Sequence, residues 1–477
     1  MKKKYLIGVD GGSQSSKVVV FDLDGNIVCE GHQDLQPMHL AEGGVAEHPD
    51  DDLWDSVVVA CRRAMQDFPG RPEEIAGLGV GSIRCCRVLQ KEDGTLAAPV
   101  ISWMDRRTAH PYDNANPDVR YVTATTGYVS RRFCGERVDT VSNYEGEWPI
   151  DRAGWKWCDD PETLKKYQIP RDMLFELRMP GVIAGVVTEQ AARVTGIPAG
   201  LPVATTANDK AVEALGAGLV TEDAVLISLG TYICGMAKGR HYIGDASSFW
   251  TNLSSVPNQF IYESNGIRRG MWTVSWFKEL LGDDLLQKAA AAGVAPEAWL
   301  EREASATPAG SEGLMTVLDW LAPASELYRK GLFIGFDGRH KRGHMYRSIL
   351  EAIAMTMGGH AKAMVAELGL SPSRVIVSGG GSNSNLFMQI FADVFGVPAQ
   401  RNVVNAAAGL GAAICAAVAT GAAPDFPTAV ARMVRVRDSF APKPENVRLY
   451  ERAYTEVYQH LRSQVEPILK KEFEVFG

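Results

Sequence analysis

Residues 5–28 read YLIGVDGGSQSSKVVVFDLDGNIV: an apolar strand, an Asp-Gly-Gly-Ser turn, a second apolar strand and an Asp-Gly hairpin. Gly11 and Gly12 carry no Cβ, so successive backbone N–H groups in this turn can point at an anion. The pattern predicts a β-hairpin that binds a phosphate. Hydroxyl donors would come from Ser13, Ser15 and Ser16. A purely structural Gly-rich hairpin is the alternative for this motif taken alone.

Two charged residues flank this first turn. Asp10 ends the first strand, where a carboxylate can hold a magnesium ion or its waters. Lys17 lies on the second strand and can reach back to the phosphates as a point charge.

A second hairpin of the same kind is predicted at residues 225–237, VLISLGTYICGMA. An apolar strand leads into Gly230-Thr231, and another apolar run follows. Two phosphate-binding hairpins far apart in the chain indicate two similar halves that close on one nucleotide from opposite sides.

Residues 201–218, LPVATTANDKAVEALGAG, lie between the hairpins and predict a strand, then Asn208-Asp209, then a helix. Asp209 would lie in the first helical turn, where the helix dipole favours an ionised carboxylate. One interpretation is a helix-capping residue. The other is a general base that accepts a proton from a hydroxyl attacking a phosphorus atom.

A third motif is residues 374–396, RVIVSGGGSNSNLFMQIFADVFG, which predicts a strand, a Gly-rich turn and a helix with an apolar face. Gly379, Gly380 and Gly381 would let a flat ring or a ribose approach the backbone, and Asn385 could offer it an amide. A dinucleotide-binding fold is disfavoured, because GGGSNS does not match G-x-G-x-x-G and no acidic residue follows at the expected distance.

In this order, the motifs resemble those of the FGGY carbohydrate kinases, a family of the actin-like ATPase superfamily. The resemblance runs from residue 5 to about residue 420 and includes W-x-D at 103–105 and GLFIGFDGRHKRGHMYRSILE at 331–351. It implies an α/β fold of two actin-like, ribonuclease H-like domains with an interdomain cleft. Residues 1–219 would form the sugar-binding domain, with the first hairpin and Asp209. Residues 220–477 would form the ATP-binding domain, with a C-terminal helix.

The resemblance also implies phosphorylation of a primary hydroxyl of a small sugar or polyol, with ATP and Mg²⁺. Asp209 would be the catalytic base, and Asp10 would organise the metal. The phosphates would contact Lys17 and the two hairpins, through Gly11, Gly12, Ser13, Ser15, Gly230 and Thr231. The adenosine would lie against Gly380, Gly381 and Asn385.

The acceptor site is expected mainly in the first domain, facing Asp209. Trp103 can form an apolar wall for a sugar, and Asp105 can accept two hydroxyl hydrogen bonds. Arg84 and Asn265 are further candidates, and a core aromatic is the alternative for Trp103. A ketopentose such as xylulose is the first choice of acceptor, and a polyol such as glycerol or erythritol is the second.

Three departures from the family pattern bear on this choice. Xylulokinases commonly have Gln-Met-His, and glycerol kinases an Arg-Glu pair, where this chain has Ser-Ile-Arg at 82–84. Relatives usually have an amide residue after the catalytic Asp, whereas here Lys210 could pair with Asp209 or with a substrate oxygen. The stretch from Gly127 to Gly135 is also shorter than in relatives, through either a reduced domain or an omitted segment.

Composition agrees with a two-domain globular protein: 477 residues, 46% hydrophobic and 22% charged. A net charge of −8 gives no reason to expect nucleic acid or an anionic membrane as a partner. Eight scattered cysteines indicate reduced thiols in a cytoplasmic protein. The Ala/Gly-rich residues 406–423 predict a tightly packed buried helix rather than a membrane span.

Other assignments stay open at this point. A non-sugar actin-like ATPase would share the hairpins but would need no acceptor residues. A sugar-sensing regulator would need a basic DNA-binding module, and a dehydrogenase would need a dinucleotide fingerprint; the sequence suggests neither. Small-molecule sugar or polyol and ATP are the expected partners, and a homodimer is left open.

Overall fold

The computed structural model describes residues 3–113, 115–230, 232–323 and 326–476. Its strands are β1 Tyr5–Gly11, β2 Ser15–Asp22, β3 Ile27–Asp34, β4 His39–Ala41, β5 Val45–His48, β6 Ile75–Ser82, β7 Val88–Gln90, β8 Val100–Ile101, β9 Tyr121–Thr123, β10 Val138–Thr140, β11 Ile150–Asp151, β12 Lys156–Trp157, β13 Glu176–Arg178, β14 Ile183–Val186, β15 Pro202–Ala204, β16 Ala224–Leu229, β17 Ile233–Gly239, β18 Phe249–Leu253, β19 Phe260–Ser264, β20 Met315–Val317, β21 Leu332–Ile334, β22 Arg374–Ser378, β23 Ala399–Asn402 and β24 Val436–Phe440.

The helices are α1 Asp52–Gln66, α2 Thr125–Cys134, α3 Pro161–Tyr167, α4 Glu189–Thr195, α5 Asp209–Gly216, α6 Gly270–Ala291, α7 Pro296–Ser305, α8 Arg342–Leu368, α9 Asn385–Phe395, α10 Ala407–Ala419, α11 Phe426–Met433, α12 Pro444–Arg452 and α13 Gln459–Phe476. A π-helical segment, Ala453–Tyr458, joins the last two, so the predicted C-terminal helix is present.

Two large mixed sheets organise the chain. The N-terminal sheet has the strand order β14-β15-β6-β1-β2-β3, and the C-terminal sheet has the order β18-β19-β17-β16-β22-β23-β24. In each sheet an antiparallel hairpin, β1-β2 or β16-β17, continues into parallel strands, β6-β15 or β22-β23. This repeated topology confirms the predicted α/β architecture with two similar halves.

One helix from each half crosses to the other half. α5 follows β15 of the N-terminal sheet, but its apolar residues cluster with those of the C-terminal sheet, such as Val212 with Leu226 and Ile376. α10 follows β23 of the C-terminal sheet, but it packs on the N-terminal sheet, where Leu410 clusters with Leu6. The division at residues 219 and 220 stays a prediction, and helices from both sides of it hold the halves together.

α5 and α10 also pack directly against each other through glycines. A Cβ at Gly411 would overlap the carbonyl oxygen of Val212, and a Cβ at Gly216 would overlap that of Ala407. Small residues therefore allow backbone-to-backbone contact at this crossing. α10 is buried along most of its length, as predicted for the Ala/Gly-rich segment. No helix among the described residues has the length and apolar character needed to cross a membrane.

The crossing can be tested with two glycines of the same helix. Gly411→Ala should lower the free energy of unfolding by about 1–3 kcal/mol, because the added methyl group forces the helices apart. Gly409→Ala is the matched control: its Cβ would lie 3.8 Å from the nearest atoms, which is an ordinary contact. That variant should be neutral, or more stable by up to about 1 kcal/mol, because alanine favours the helix. Urea unfolding measures the free energy of unfolding of both variants. Equal losses of stability in the two would contradict the close contact between α5 and α10.

Candidate active site

Both predicted phosphate hairpins reach the same cavity. The cavity has a volume of about 300 Å³ and lies between the two sheets. Its lining residues are Ser13, Ile83, Arg84, Cys85, Trp103, Asp209, Lys210, Gly230, Tyr232 and Trp250. Ser13 belongs to the first hairpin and Gly230 to the second, with Asp209 of α5 also in the wall. Thr231, predicted to contact phosphate, lies outside the described residues.

The first hairpin turn is closed by a hydrogen bond from the Gly12 N–H to the Ser15 carbonyl (2.9 Å). The Gly11 carbonyl accepts the Ile83 N–H (2.8 Å), which fixes the turn to the end of β6. The expectation for Ser16 was wrong, because its hydroxyl is buried and hydrogen-bonds that of Ser56 at 2.8 Å. Alternation along β2 explains the difference, since neighbouring strand residues point to opposite faces.

Asp10 and Lys17 lie opposite each other in the β1-β2 register. The pKa of the Asp10 carboxyl is raised to about 7, mainly by burial and further by the charges of Asp209 and Glu213. Two lysines, Lys17 among them, act in the opposite direction. The Lys17 ammonium pairs with Glu30 (2.9 Å) on the solvent side of the hairpin. Because that pair is half exposed, it contributes little stability and can rearrange.

Asp209 is the first residue of α5, and Asn208 is its N-cap: the Asn208 side chain accepts the Ala211 N–H. The capping interpretation of Asp209 is therefore wrong. Its Oδ1 is buried and has no hydrogen-bond partner within the protein. Burial raises the pKa of the Asp209 carboxyl, while the charges of Arg84 and Lys210 oppose the rise. Such an oxygen, aimed into a cavity, is available to a ligand.

Lys210 has partners that the sequence did not suggest. Its ammonium donates to Glu213 Oε2 (2.9 Å) and to the Ser228 hydroxyl (2.6 Å). Glu213 also accepts hydrogen bonds from Ser228 and, in the next strand, from Ser378. Of the two partners predicted for Lys210, Asp209 is replaced by Glu213 and Ser228, which link α5 to the C-terminal sheet. The other, a substrate oxygen, stays a prediction, because Lys210 lines the cavity.

Arg84 also lines the cavity and links the two halves. Its guanidinium donates two hydrogen bonds to Glu263 of β19, one of them at 2.8 Å between Nη2 and Oε2. It also lies over the ring of Trp250, with 4.6 Å from Cζ to the ring centroid. Arg84 therefore lines the cavity in a fixed orientation.

Trp103 lies in the cavity wall and is 41% exposed, so the core-aromatic alternative is wrong. Asp105, in contrast, is not brought to the cavity. Its carboxylate is buried and accepts the Ala46 N–H (2.7 Å), the Arg107 N–H (2.8 Å) and the Arg107 guanidinium. It caps the short 3-10 helix Arg106–Ala109, which leaves it no free lone pair for a sugar hydroxyl.

Asn265 is likewise not brought to the cavity. It follows β19 and is exposed. Its backbone carbonyl oxygen forms a hydrogen bond with Nδ1 of His360, on α8, at 2.8 Å. The sequence could not indicate this, because the position depends on how β19 pairs with the rest of the sheet.

The third motif lies beside the second hairpin. β22 pairs with β16 in parallel, which places Gly379–Gly381 next to Leu229, just before Gly230. A Cβ at Gly380 would meet no atom within 4 Å, so the backbone there is open to a ligand. The Asn385 side-chain carbonyl accepts a hydrogen bond from Arg401 (2.7 Å), and this leaves its NH₂ group for a ligand.

Several cavity residues were missed from the sequence: Ile83, Cys85, Tyr232 and Trp250. Tyr232 directly follows the Gly-Thr pair of the predicted phosphate-binding turn, and this position could have indicated that it lies near the cavity. Trp250 lies opposite Glu263 in the β18-β19 register. Nothing in the local sequence indicates that strand pair as part of a site.

A carboxylate with a free oxygen, in a cavity that two Gly-rich turns also line, can accept the proton of a hydroxyl that attacks a phosphate held by those turns. Comparison with known proteins agrees. Residues 5–134 match the N-terminal domain of the FGGY family of carbohydrate kinases, and residues 225–420 match its C-terminal domain. The chain belongs to this family, and it is therefore a carbohydrate kinase that transfers a phosphoryl group to an alcohol.

Two curated relatives cover nearly the whole chain. The sugar kinase YgcE of Escherichia coli K12, whose own function is uncharacterised, is 51% identical over 475 residues, covering 100% of this chain and 96% of the relative. Autoinducer-2 kinase of Escherichia coli K12 is 26% identical over 498 residues, covering 94% of this chain and 92% of that enzyme.

Solved structures share the fold. Xylulose kinase from Rhodospirillum rubrum has a TM-score of 0.80 at 24% identity and covers 98% of this chain and 100% of its own. Glycerol kinase from Plasmodium falciparum, solved with ADP, has a TM-score of 0.78 at 15% identity, with 97% and 99% covered. These similarities establish the two-domain actin-like fold.

Asp10 provides a stability test. Because its folded-state pKa of about 7 exceeds the ordinary value of 3.8, the folded protein loses stability as pH rises from 3.8 through about 7, and the loss levels off above that. Asp10→Asn removes the buried charge, so in metal-free buffer it should raise Tm more at pH 8 than at pH 5. Asp283→Asn, at an exposed position on α6, is the control and should change Tm little at either pH. An equal gain for Asp10→Asn at both pH values would show that its carboxyl is not perturbed.

Proposed function

We propose that the protein transfers the γ-phosphoryl group of ATP to a primary hydroxyl of a small sugar, with a ketopentose such as xylulose as the first acceptor to test. A polyol of the glycerol or erythritol type is the alternative. The observation that carries the proposal is the unpartnered Oδ1 of Asp209 in a cavity that Ser13 and Gly230 also line.

Asp209 is proposed as the general base. The acceptor oxygen attacks the γ-phosphorus, its proton passes to Asp209, and the bond to the bridging oxygen of ADP breaks. The raised pKa of this buried carboxyl makes it a stronger proton acceptor than an exposed aspartate. Enclosure between the two halves would exclude water, which otherwise competes with the acceptor for the phosphorus.

ATP is proposed to bind along the C-terminal sheet toward the first hairpin. Gly380, Gly381 and the free amide of Asn385 would border the adenosine. The phosphates would contact the backbone of Gly11, Gly12 and Gly230 and the hydroxyls of Ser13 and Ser15. Lys17 would join them by leaving its exposed pair with Glu30.

Asp10 is the proposed contact for magnesium. Among the described residues no group of three or more His, Cys, Asp or Glu side chains could hold a metal ion. Mg²⁺ commonly binds through one or two carboxylates together with nucleotide phosphates. When bound, the ion would neutralise charge on the phosphates; Asp10 would hold it or its waters in place.

For the acceptor, Trp103 would cover one face and Arg84 would donate to hydroxyl or carbonyl oxygens. The kinase relatives named above act on xylulose, glycerol and autoinducer-2, so the family admits acceptors of this size class. A cytoplasmic location is part of the proposal, supported by eight free cysteine thiols.

The proposal is tested by ATP-dependent phosphorylation across ketoses, aldoses and polyols, with ADP release and phosphorylated product measured together. Acceptor-dependent ADP release with matching product is the expected result. ATP hydrolysis that no acceptor stimulates would favour a non-sugar ATPase instead.

Asp209→Asn should lower kcat by about two to four orders of magnitude, the usual value of a positioned base. ATP affinity should stay close to that of the wild type, and Tm should not fall, because Asn208 rather than Asp209 caps α5. Calorimetric titration with ATP and the phosphorylation assay separate these effects. Transfer at the wild-type rate would remove Asp209 from the mechanism.

Trp103→Ala and Asp105→Asn should behave differently although they are near neighbours. Trp103→Ala should raise the acceptor KM by about 3- to 10-fold, because it removes an aromatic contact. Asp105→Asn should lower Tm, because its buried carboxylate loses the charge that pairs with the half-exposed Arg107, and should leave the acceptor KM near that of the wild type. A large rise in KM for Asp105→Asn would show that its carboxylate does reach the acceptor.

A further inference from the structure

A buried chain of hydrogen bonds crosses between the two halves beside the cavity. It joins Arg84, which follows β6, to Glu263 on β19, then to Asn252 on β18, and finally to Asn208, which caps α5. Its two ends belong to the N-terminal half, and its two middle members belong to the C-terminal half.

The contacts are short and consecutive. Arg84 Nη2 donates to Glu263 Oε2 at 2.8 Å, Asn252 Nδ2 donates to Glu263 Oε1 at 2.7 Å, and Asn208 Nδ2 donates to Asn252 Oδ1 at 3.1 Å. Asn208 Nδ2 also donates to the carbonyl of Ser142 at 2.7 Å. Both carboxylate oxygens of Glu263 are therefore hydrogen-bonded, and so are both the amide nitrogen and the amide oxygen of Asn252.

Burial makes that arrangement specific. Glu263 and Asn252 are 0% exposed and Asn208 is 1% exposed. A buried carboxylate or amide that loses its partner is costly, so alternative arrangements are strongly disfavoured. Neither Asn252 nor Glu263 lines the cavity, so any effect they have on the reaction must pass through Arg84 or Asn208.

Each end of the chain orients a group at the cavity. Glu263 fixes the guanidinium of Arg84 against Trp250. Asn208 holds the first turn of α5 through the Ala211 N–H, and Asp209 is the first residue of that turn. A small displacement of a catalytic group is enough to slow a reaction greatly.

We propose that Asn252 and Glu263 are positioning residues for phosphoryl transfer: Asn252 aligns Asp209 through the α5 cap, and Glu263 aligns Arg84 on the acceptor. The C-terminal half thus orders catalytic groups of the N-terminal half, as well as binding nucleotide. This inference rests on the proposed role of Asp209 as the base.

Asn252→Ala is the sharper variant: it removes the hydrogen bonds to Asn208 and to Glu263, but it keeps both charges and the direct hydrogen bonds of the Arg84–Glu263 pair. Its kcat should fall about 10- to 100-fold, while KM for acceptor and for ATP should change less than about twofold. Glu263→Gln should lower kcat and also raise the acceptor KM, because Arg84 loses its charged partner.

The pH profile gives a readout that a purely structural role would not change. The charged and titratable groups acting on Asp209 include Arg84, Lys210, Glu213 and Asp10, together with the thiols of Cys85 and Cys86. In Glu263→Gln the positive charge of Arg84 is no longer balanced, so it stabilises the Asp209 carboxylate more strongly. The acidic limb of kcat/KM should therefore move to lower pH in Glu263→Gln and stay in place in Asn252→Ala.

Ser264→Ala is the matched control. Ser264 is a buried polar residue next to Glu263 on β19. Its hydroxyl accepts a hydrogen bond from the Gly235 N–H (3.1 Å) and donates one to the backbone carbonyl of Asn265 (2.9 Å). Its loss should lower Tm and leave kcat near that of the wild type.

An active wild type together with wild-type kcat in folded Asn252→Ala would overturn the inference and leave the proposed function intact. A fall in kcat of Ser264→Ala equal to that of Asn252→Ala would also overturn it, since any buried polar loss would then suffice. A wild type that phosphorylates no acceptor would instead contradict the proposed function itself. If Glu263→Gln does not fold, Asn252→Ala alone decides.

Discussion

The contact between α5 and α10 is the constraint on which the rest of the molecule depends. Glycines at the crossing let the two backbones touch, and each helix packs on the sheet of the opposite half. The sheets are thereby held at a fixed spacing, and the turns after β1 and β16 reach one cavity. Because α5 begins at that cavity, its first residue, Asp209, lies between the two turns. The same packing that joins the halves places the proposed base.

Ionised carboxylates at the site destabilise the folded state. Burial and like charges raise the pKa of Asp10 and Asp209, while nearby cations only partly compensate. Two other buried carboxylates near the site, by contrast, are paired: Glu213 with Lys210 and two serines, and Glu263 with Arg84 and Asn252. Burial also raises the pKa of Asp139 and of Glu145 to about 7, so a raised pKa alone does not mark the site. Asp10 and Asp209 differ in lying beside the two Gly-rich turns, where function can oppose stability.

Local sequence was sufficient for features that depend on local structure. The hairpins, the helix that starts at Asp209 and the buried Ala/Gly-rich helix were predicted because turn residues and apolar patterns specify them. The order of these motifs also gave the family and hence the two-domain fold. Trp103 was correctly placed at the cleft, and Arg84 was correctly placed in the cavity wall.

Predictions failed where side-chain partners depend on tertiary contacts. Asp105 follows Trp103 by two residues, yet its carboxylate turns to Ala46 and Arg107. Lys210 pairs with Glu213 rather than Asp209, because one helical turn separates the two partners. The chain through Asn252 and Glu263 joins residues far apart in sequence, and no spacing rule could reveal it.

The most direct test of the account is a crystal structure with a non-hydrolysable ATP analogue, Mg²⁺ and an acceptor identified in the phosphorylation assay. The account expects the γ-phosphate between the Gly11–Ser13 turn and Gly230, with the acceptor hydroxyl hydrogen-bonded to Oδ1 of Asp209. A triphosphate bound outside this cavity, or an Asp209 carboxylate turned away from the acceptor, would contradict it.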